Sequence, residues 1–477
     1  MKRSFETAAA VALRGRRRSS SSTSSTSFLS TSTSDVLEND RIELQNWAGH
    51  EIVTDTTPFP KFETKDFFRF EVLHRSSLSG ARVGRIHTPH GYVDTPGYVA
   101  VATNAALKHI DHLLTDHRPA ETTATENQSG DGSHDGGGGG GTYGQQLMFC
   151  NTYHLLLQPG PDIVAEAGGL HQFMNRKQPL ITDSGGFQVF SMSNHSVTDE
   201  LNRKQNGKKY PKSTLKVNEE GVTFRSYRTG CLVELTPEKS VLAQKKLGAD
   251  IIIPLDELPP FHTSTAELVK SVAMTHRWEA RSLRTHLADV NQQAMLGVIH
   301  GGINRELREW STDFISGLPF DGFAIGGSLG RDTEELMGIL DTVMPRLAKS
   351  SQGLPQSHQK PVHLLGVGDE PSIRHAVTRG LDTFDSCFPT RIGRHGAALT
   401  SEGRLNITNK RFRTQYTQVL DDQCDCHVCR SRFSRAYLHH LFKAKEPLGP
   451  QLLAMHNLRY MINMMKGIRE DILRNAI

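Results

Sequence analysis

Residues 295–330 read MLGVIHGGINRELREWSTDFISGLPFDGFAIGGSLG. A short apolar run, Met295–Gly302, ends in His and Gly. Helical patterning follows over Arg305–Leu318, and a second apolar run, Gly322–Gly330, completes the unit. Continuous apolar runs of this length fit strands buried on both faces, because a strand with one wet face alternates. Two such strands joined by a helix predict a parallel pair.

The same unit recurs on both sides of this stretch. The other runs are Tyr98–Asn104 (YVAVATN), Leu147–Tyr153 (LMFCNTY), Pro179–Gly186 (PLITDSGG), Asp250–Glu257 (DIIIPLDE), Val362–Asp369 (VHLLGVGD) and Leu381–Phe388 (LDTFDSCF). Helical patterns occupy Pro237–Leu247, Ala266–His286 and Ser372–Arg379. Eight runs in alternation with helices predict an α/β fold, a closed (β/α)8 barrel of the TIM type. Such barrels place their chemistry at the C-terminal ends of the strands. Asp183, Asp256, His300 and Asp385 all stand at such ends. Three carboxylates gathered at one mouth repel one another, so their convergence points to a site.

The chain has 477 residues, enough for such a barrel of roughly 250 residues plus additions. Six cysteines exclude a disulfide-stapled secreted scaffold. No run approaches the roughly 18 apolar residues of a membrane span. The net charge of +4 is unevenly spread. Residues 1–34 carry +5, residues 391–477 carry +8, and the middle is acidic. A basic C-terminal end on a near-neutral chain suggests a polyanion that docks there.

Residues 1–34 are Arg-rich, acid-poor and crowded with Ser and Thr between Ser19 and Ser34. That is the composition of an organelle transit peptide, mitochondrial or plastid, although a plain disordered tail has the same one. Residues 35–69 form an N-terminal extension ahead of a barrel domain over 70–477. Three polar or Gly-rich segments, 121–142, 198–214 and 349–360, interrupt the pattern and read as surface insertions.

The sharpest motif is Cys424-Asp425-Cys426-His427-Val428-Cys429. Three thiols in six residues suit one tetrahedral metal ion, which needs a fourth ligand. His456 could supply it from beyond a helical stretch at Ser434–Lys443; His427 and His439 compete for the place. Four protein ligands would leave no open position, so the metal would be structural. The second constellation is carboxylic. Asp385 precedes Pro389-Thr390-Arg391-Ile392-Gly393-Arg394. A carboxylate nucleophile beside a basic strip suits attack at the anomeric carbon of a polyanion, with Asp183 as acid/base partner. Asp256 could read a base edge while Phe187 offers a stacking face. The turns at Gly185-Gly186, Gly326-Gly327 and Gly366–Gly368 would let backbone approach a flat ligand.

Four features in combination resemble the tRNA-guanine transglycosylases. They are Cys150-Asn151-Thr152-Tyr153-His154-Leu155; Asp183-Ser184-Gly185-Gly186-Phe187-Gln188; Phe384-Asp385 with Phe388-Pro389-Thr390-Arg391; and Cys-x-Cys-x-x-Cys with a later His-Asn. The resemblance runs from about Phe70 to near the C-terminus, insertions aside. It implies a barrel with a zinc-binding subdomain over about 405–460, exchanging a guanine of tRNA for a deazaguanine base. By that resemblance Asp385 is the nucleophile on the wobble ribose of GUN anticodons, and Asp183 the proton acceptor and donor. Asp183, Ser184, Gly185, Gly186, Phe187, Asp256, His300, Gly326 and Gly327 surround the base. Gly366, Val367, Gly368, Asp369, Glu370, Pro371 and Ser372, with Thr390, Arg391, Ile392, Gly393 and Arg394, match segments that contact RNA around the anticodon. Cys424, Cys426, Cys429 and His456 match the ligands of one structural Zn2+. Family members act as homodimers or as heterodimers with a non-catalytic paralogue.

The chain departs from the family pattern twice. His300 stands where the family usually has Gln, which alters one hydrogen-bonding contact to the base. Gly330 stands where bacterial members usually have Val. A smaller residue leaves room for a larger base, so queuine is expected over the smaller precursor. Two other readings differ in class. A non-catalytic tRNA-binding subunit is countered by Asp183, Asp256 and Asp385; a metal-dependent barrel hydrolase would want His ligands on barrel strands.

Overall fold

A computed structural model describes residues 58–116, 144–193, 214–353, 355 and 358–477. Outside the described residues lie the expected transit segment 1–34, most of the extension 35–69, the insertion 121–142, and all but the last residue of 198–214. The third insertion is described in part: Lys349 and Ser350 finish the helix Thr333–Ser350. The described residues all belong to one compact unit, Pro58–Ile477.

In chain order, β1 (Arg69–Arg75), β2 (Arg82–Thr88) and β3 (Gly91–Thr95) form an antiparallel sheet. Next come β4 (Gly97–Val101), β5 (Met148–Cys150) and β6 (Leu180–Thr182). A second antiparallel sheet consists of β7 (Thr214–Asn218), β8 (Gly221–Arg225) and β9 (Leu232–Leu235). Then follow β10 (Ile251–Ile252), β11 (Ala294–Ile299), β12 (Gly322–Ile325), β13 (Val362–Leu364) and β14 (Thr383–Ser386). Strands β4, β5, β6 and β10 to β14 close into a parallel barrel, with β14 pairing back onto β4. Each of the eight predicted runs supplies one barrel strand. The sheet β7–β9 is an addition that the strand–helix alternation does not anticipate. Its alternation is nevertheless written in β8, where Val222 and Phe224 are buried while Thr223 and Arg225 are not.

Local chemistry sets the helix ends. Thr236 caps Pro237–Leu247 by accepting from the Lys239 N–H, and Gly248 ends it in the left-handed region. Ser264 and Glu267 form a reciprocal capping box on Thr265–Ala288. The barrel interior is apolar: Val99, Phe149, Ile181, Leu296, Val298 and Ala324 cluster with Phe68, Phe70, Ile86 and Val93 of the first sheet and its approach. That sheet therefore stops the N-terminal end of the barrel. The C-terminal face stays open for chemistry.

One ion pair ties the stopper to the barrel. Arg82 of β2 donates from Nε to Asp382 Oδ1 (2.9 Å) and from an Nη to Oδ2 (2.5 Å), and Asp382 is wholly buried. Asp382 Oδ2 also accepts the Val362 N–H at 2.7 Å. Removing the guanidinium would leave a buried carboxylate without its counter-charge. Arg82→Met is expected to cost about 3–5 kcal/mol in equilibrium urea unfolding. A loss below 1 kcal/mol would mean that the pair holds nothing.

After the barrel come β15 (Ala397–Thr400) and β16 (Gly403–Asn406), then the helices Arg435–Ala444 and Leu448–Leu473. Leu448–Leu473 crosses the short helix Phe388–Arg394 very closely: a Cβ on Gly393 would stand 2.8 Å from the Ala454 nitrogen. Asn457 latches the same region, donating to Pro389 O and Ala397 O (both 2.9 Å) and accepting from the Leu399 N–H (2.8 Å). No described helix is long and apolar enough to cross a membrane.

Candidate active site and metal centre

Asp183 follows β6 at the open face. Its Oδ2 accepts from Asn151 Nδ2 (2.5 Å) and Gln188 Nε2 (2.9 Å), and its Oδ1 from the backbone N–H groups of Thr152 (2.7 Å) and Gly185 (3.2 Å). Gly185 can donate because its φ of +85° turns the chain back; a Cβ there would also press on Tyr153. Burial pushes the Asp183 carboxyl up to about 6, although all four hydrogen bonds favour the ionised form. A carboxyl so placed can hold or release a proton near neutrality.

Asp256 lies beyond β10, buried. Ser184 Oγ donates to its Oδ1 at 3.2 Å, and Gly186 packs so close to the Asp256 carbonyl that any Cβ would clash. His300, past β11, brings Nε2 to 3.1 Å from Asp256 Oδ2, yet that nitrogen is buried and makes no hydrogen bond. Gly327 lets the His300 ring approach, since a Cβ there would meet Nδ1 at 2.9 Å. His300, Gly327 and Ser328 line a cavity of about 390 Å³ together with Pro259, Phe261 and Leu268. Phe187, 51% exposed at the start of helix Gly186–Ser193, presents a free ring.

Gly330 has φ +91°, and a Cβ there would meet Glu335 Cβ at 2.5 Å. Glu335 thus fills the space beside this glycine, and backbone conformation demands it. The extra room expected from Gly330 is not found at that point.

Asp385 lies one residue before the end of β14, also buried. Its Oδ1 accepts from the Gly366 N–H at 3.0 Å and lies 3.1 Å from His363 Nε2. His363 is itself oriented by Thr383 Oγ1, 2.8 Å from Nδ1. Asn151, Gln188 and His363 are therefore site residues to which sequence reasoning gave no role. Of the expected RNA-contacting set, Gly366, Asp369, Pro371 and Arg391 are exposed, and Val367, Glu370 and Arg394 partly so. Gly368, Ser372, Thr390, Ile392 and Gly393 are buried and shape the segment from within. Asp369 caps the helix Glu370–Val377 through the Ser372 N–H, and Glu370 accepts from Tyr460 and Arg374.

The competition for a fourth metal ligand resolves in space. Ligand atoms of Cys424, Cys426, Cys429 and His456 lie within 4.8 Å of one another and form a group that could hold a metal ion. His456 Nδ1 is 3.4 Å from Cys426 Sγ and 3.5 Å from Cys429 Sγ, while Nε2 bonds to Leu399 O at 2.7 Å. That bond fixes the tautomer and leaves Nδ1 as a lone-pair donor towards the thiols. His427 instead faces Ser431, and His439 bonds to Ile407 O. Three soft thiolates and one imidazole fit a closed tetrahedral zinc site, which would supply folding energy rather than an open coordination position.

Comparison with known proteins agrees with this geometry. A family profile described as queuine tRNA-ribosyltransferase matches residues 141–477. The chain is 49% identical over 411 residues to the queuine tRNA-ribosyltransferase of Protochlamydia amoebophila (strain UWE25), covering 86% of this chain and 97% of that protein. It is 48% identical over 410 residues to that of Chlamydia caviae, and 46% over 409 residues to that of Chlamydia muridarum, covering in each case 86% of this chain and 99% of the relative.

Proposed function

Because the chain belongs to the queuine tRNA-ribosyltransferase family, a group of pentosyltransferases acting on tRNA, we propose that it exchanges guanine at the wobble position of GUN anticodons for queuine. The observation that carries the proposal is the unlike treatment of two carboxyls at one barrel mouth. Asp385 is oriented by a backbone N–H and an imidazole; Asp183 is held near 6. Of two carboxyls at one mouth, one can attack while the other, able to hold a proton near neutrality, serves as acid/base.

In the first half-reaction, an Asp385 oxygen attacks C1′ of the ribose while the bond from C1′ to guanine N9 breaks. Protonated Asp183 gives its proton to the departing N9. In the second, ionised Asp183 takes the proton of the incoming base, whose nitrogen attacks C1′ and releases Asp385. Asp256 and the Gly326-Gly327 backbone hold the base, His300 donates or accepts at its edge, and Phe187 stacks on it. The nucleotide is flipped from its stack, at a cost of a few kcal/mol. The relatives' name supports queuine over the precursor; Gly330 does not. Cys424, Cys426, Cys429 and His456 would hold one structural Zn2+, which would supply folding energy and take no part in these steps. Residues 1–34 serve as an organelle leader, which an import assay leaving them uncleaved in the cytosol would remove.

The test is exchange itself. Purified chain and tRNA with guanosine at the wobble position should form a species stable on a denaturing gel, which added queuine discharges into modified tRNA. If no such species forms, the chain is a binding subunit that needs a partner.

The Asp183 value fixes the sign of the pH response. Release of guanine needs the acid form, so single-turnover formation of the gel-stable species should fall about tenfold per pH unit above roughly pH 6. Discharge by the incoming base needs the carboxylate and should slow below that pH. Quenched time courses from pH 5 to 8 check both limbs, and flat profiles would remove Asp183 from the mechanism.

A further inference from the structure

Asp256 has a counterpart at the other end of its strand. Asp250 immediately precedes β10, on the N-terminal face of the barrel, and its side chain is wholly buried. Two backbone donors orient its carboxylate: the Leu180 N–H to Oδ2 at 2.8 Å and the His90 N–H to Oδ1 at 3.3 Å. Two imidazoles converge on it. His90 Nδ1, from the turn between β2 and β3, lies 2.8 Å from Oδ1; His171 Nε2, from the helix Leu170–Met174, lies 3.2 Å from Oδ2. The rings stack with centroids 3.5 Å apart and present these nitrogens to one carboxylate.

This arrangement is more than an ion pair. The His171 side chain is 8% exposed, and its Nε2 is buried against Asp250 Oδ2 at 3.2 Å, poorly aligned for a hydrogen bond. A buried imidazole nitrogen that touches a carboxylate without a well-aligned hydrogen bond is placed to turn its lone pair to an ion. The three ligand atoms lie within 4.8 Å of one another. His90 is 40% exposed on its side chain, which gives an ion a way in and leaves room for water ligands.

We propose that His90, His171 and Asp250 form a second metal site, for a divalent first-row transition ion, at the end of the barrel opposite the reaction. Two imidazoles and one carboxylate are the donor set of Zn2+, Co2+, Ni2+ or Fe2+, whereas the thiol-rich group around Cys426 selects softer chemistry. The ion replaces the proton between His90 and Asp250 and engages His171 Nε2, with the rings moving apart to converge on it. It clamps together three elements that are distant in sequence: the β2–β3 turn, the helix before β6, and the start of β10. The site stands apart from base exchange.

The test titrates Co2+ into the full-length protein after dialysis that leaves the cysteine-bound metal in place. One additional equivalent should bind, with weak visible bands and no thiolate-to-cobalt charge-transfer band in the near ultraviolet. Binding should raise the thermal midpoint, as a ligand of the native state does. In His90→Ala the additional equivalent should weaken by more than about tenfold, since loss of an outer partner alone costs that much. The thermal shift should vanish with it. His90 lies in an exposed turn, so this variant keeps the core intact; His171→Gln is the second variant, and exchange activity should persist in both. No additional equivalent, a thiolate band, or undiminished binding in both variants would each overturn the proposal.

Discussion

Asp385→Asn is expected to lose at least about three orders of magnitude in kcat for base exchange, roughly 4 kcal/mol of transition-state stabilisation. The amide keeps the shape of the carboxyl but cannot form the ester-like bond to C1′. The Gly366 N–H and His363, which now address Asp385 Oδ1, keep an acceptor in the amide oxygen. The thermal midpoint should therefore stay close to that of the wild type while the gel-stable species disappears. Isotopic guanine exchange into tRNA measures the rate, and a variant within tenfold of wild type would mean that another group attacks.

Cys426→Ser is expected to have the largest effect on the fold. Cys426 is buried, receives the Cys429 N–H, and faces His456 Nδ1. A serine hydroxyl is a poor substitute for a thiolate at a tetrahedral zinc site, and structural zinc contributes folding energy directly. The cysteine-bound equivalent should be absent from metal analysis. The thermal midpoint should drop by about 10 °C or more, equivalent to several kcal/mol for a chain of this size. Unchanged metal content and midpoint would show the four residues to be a packed cluster and nothing else.

The barrel was legible because its strands are buried on both faces: no alternation diluted runs such as MLGVIHGG, and Asp, Asn or Gly marked their ends. The two antiparallel sheets have weaker signals. In β8 the alternation spans only GVTFR, too short to stand out beside a Lys- and Asn-rich insertion. At the site, Asp183 and Asp385 were readable from their position after apolar runs. His363 was not, since it sits inside the run VHLLGVGD and looks like a core residue. Its role follows from register, because β13 and β14 set His363 beside Thr383 and bring its ring under Asp385. Spacing alone could not choose among His427, His439 and His456. The decision lies in the Leu399 carbonyl, which only the folded chain carries to His456. Gly330 shows the opposite failure, where a small residue suggested space that Glu335 occupies.

The helix Leu448–Leu473 carries His456 towards the thiols and, one residue later, Asn457 towards Pro389, Ala397 and Leu399. Pro389 lies in the first turn of helix Phe388–Arg394, and Cys387 alone separates that helix from β14, which carries Asp385. Losing the cysteine-bound ion would thus loosen the floor beneath Asp385 without touching the base pocket. A partly loaded preparation should behave as a mixture of competent and idle molecules. Its KM would be that of the full enzyme, and its apparent turnover would count the ions.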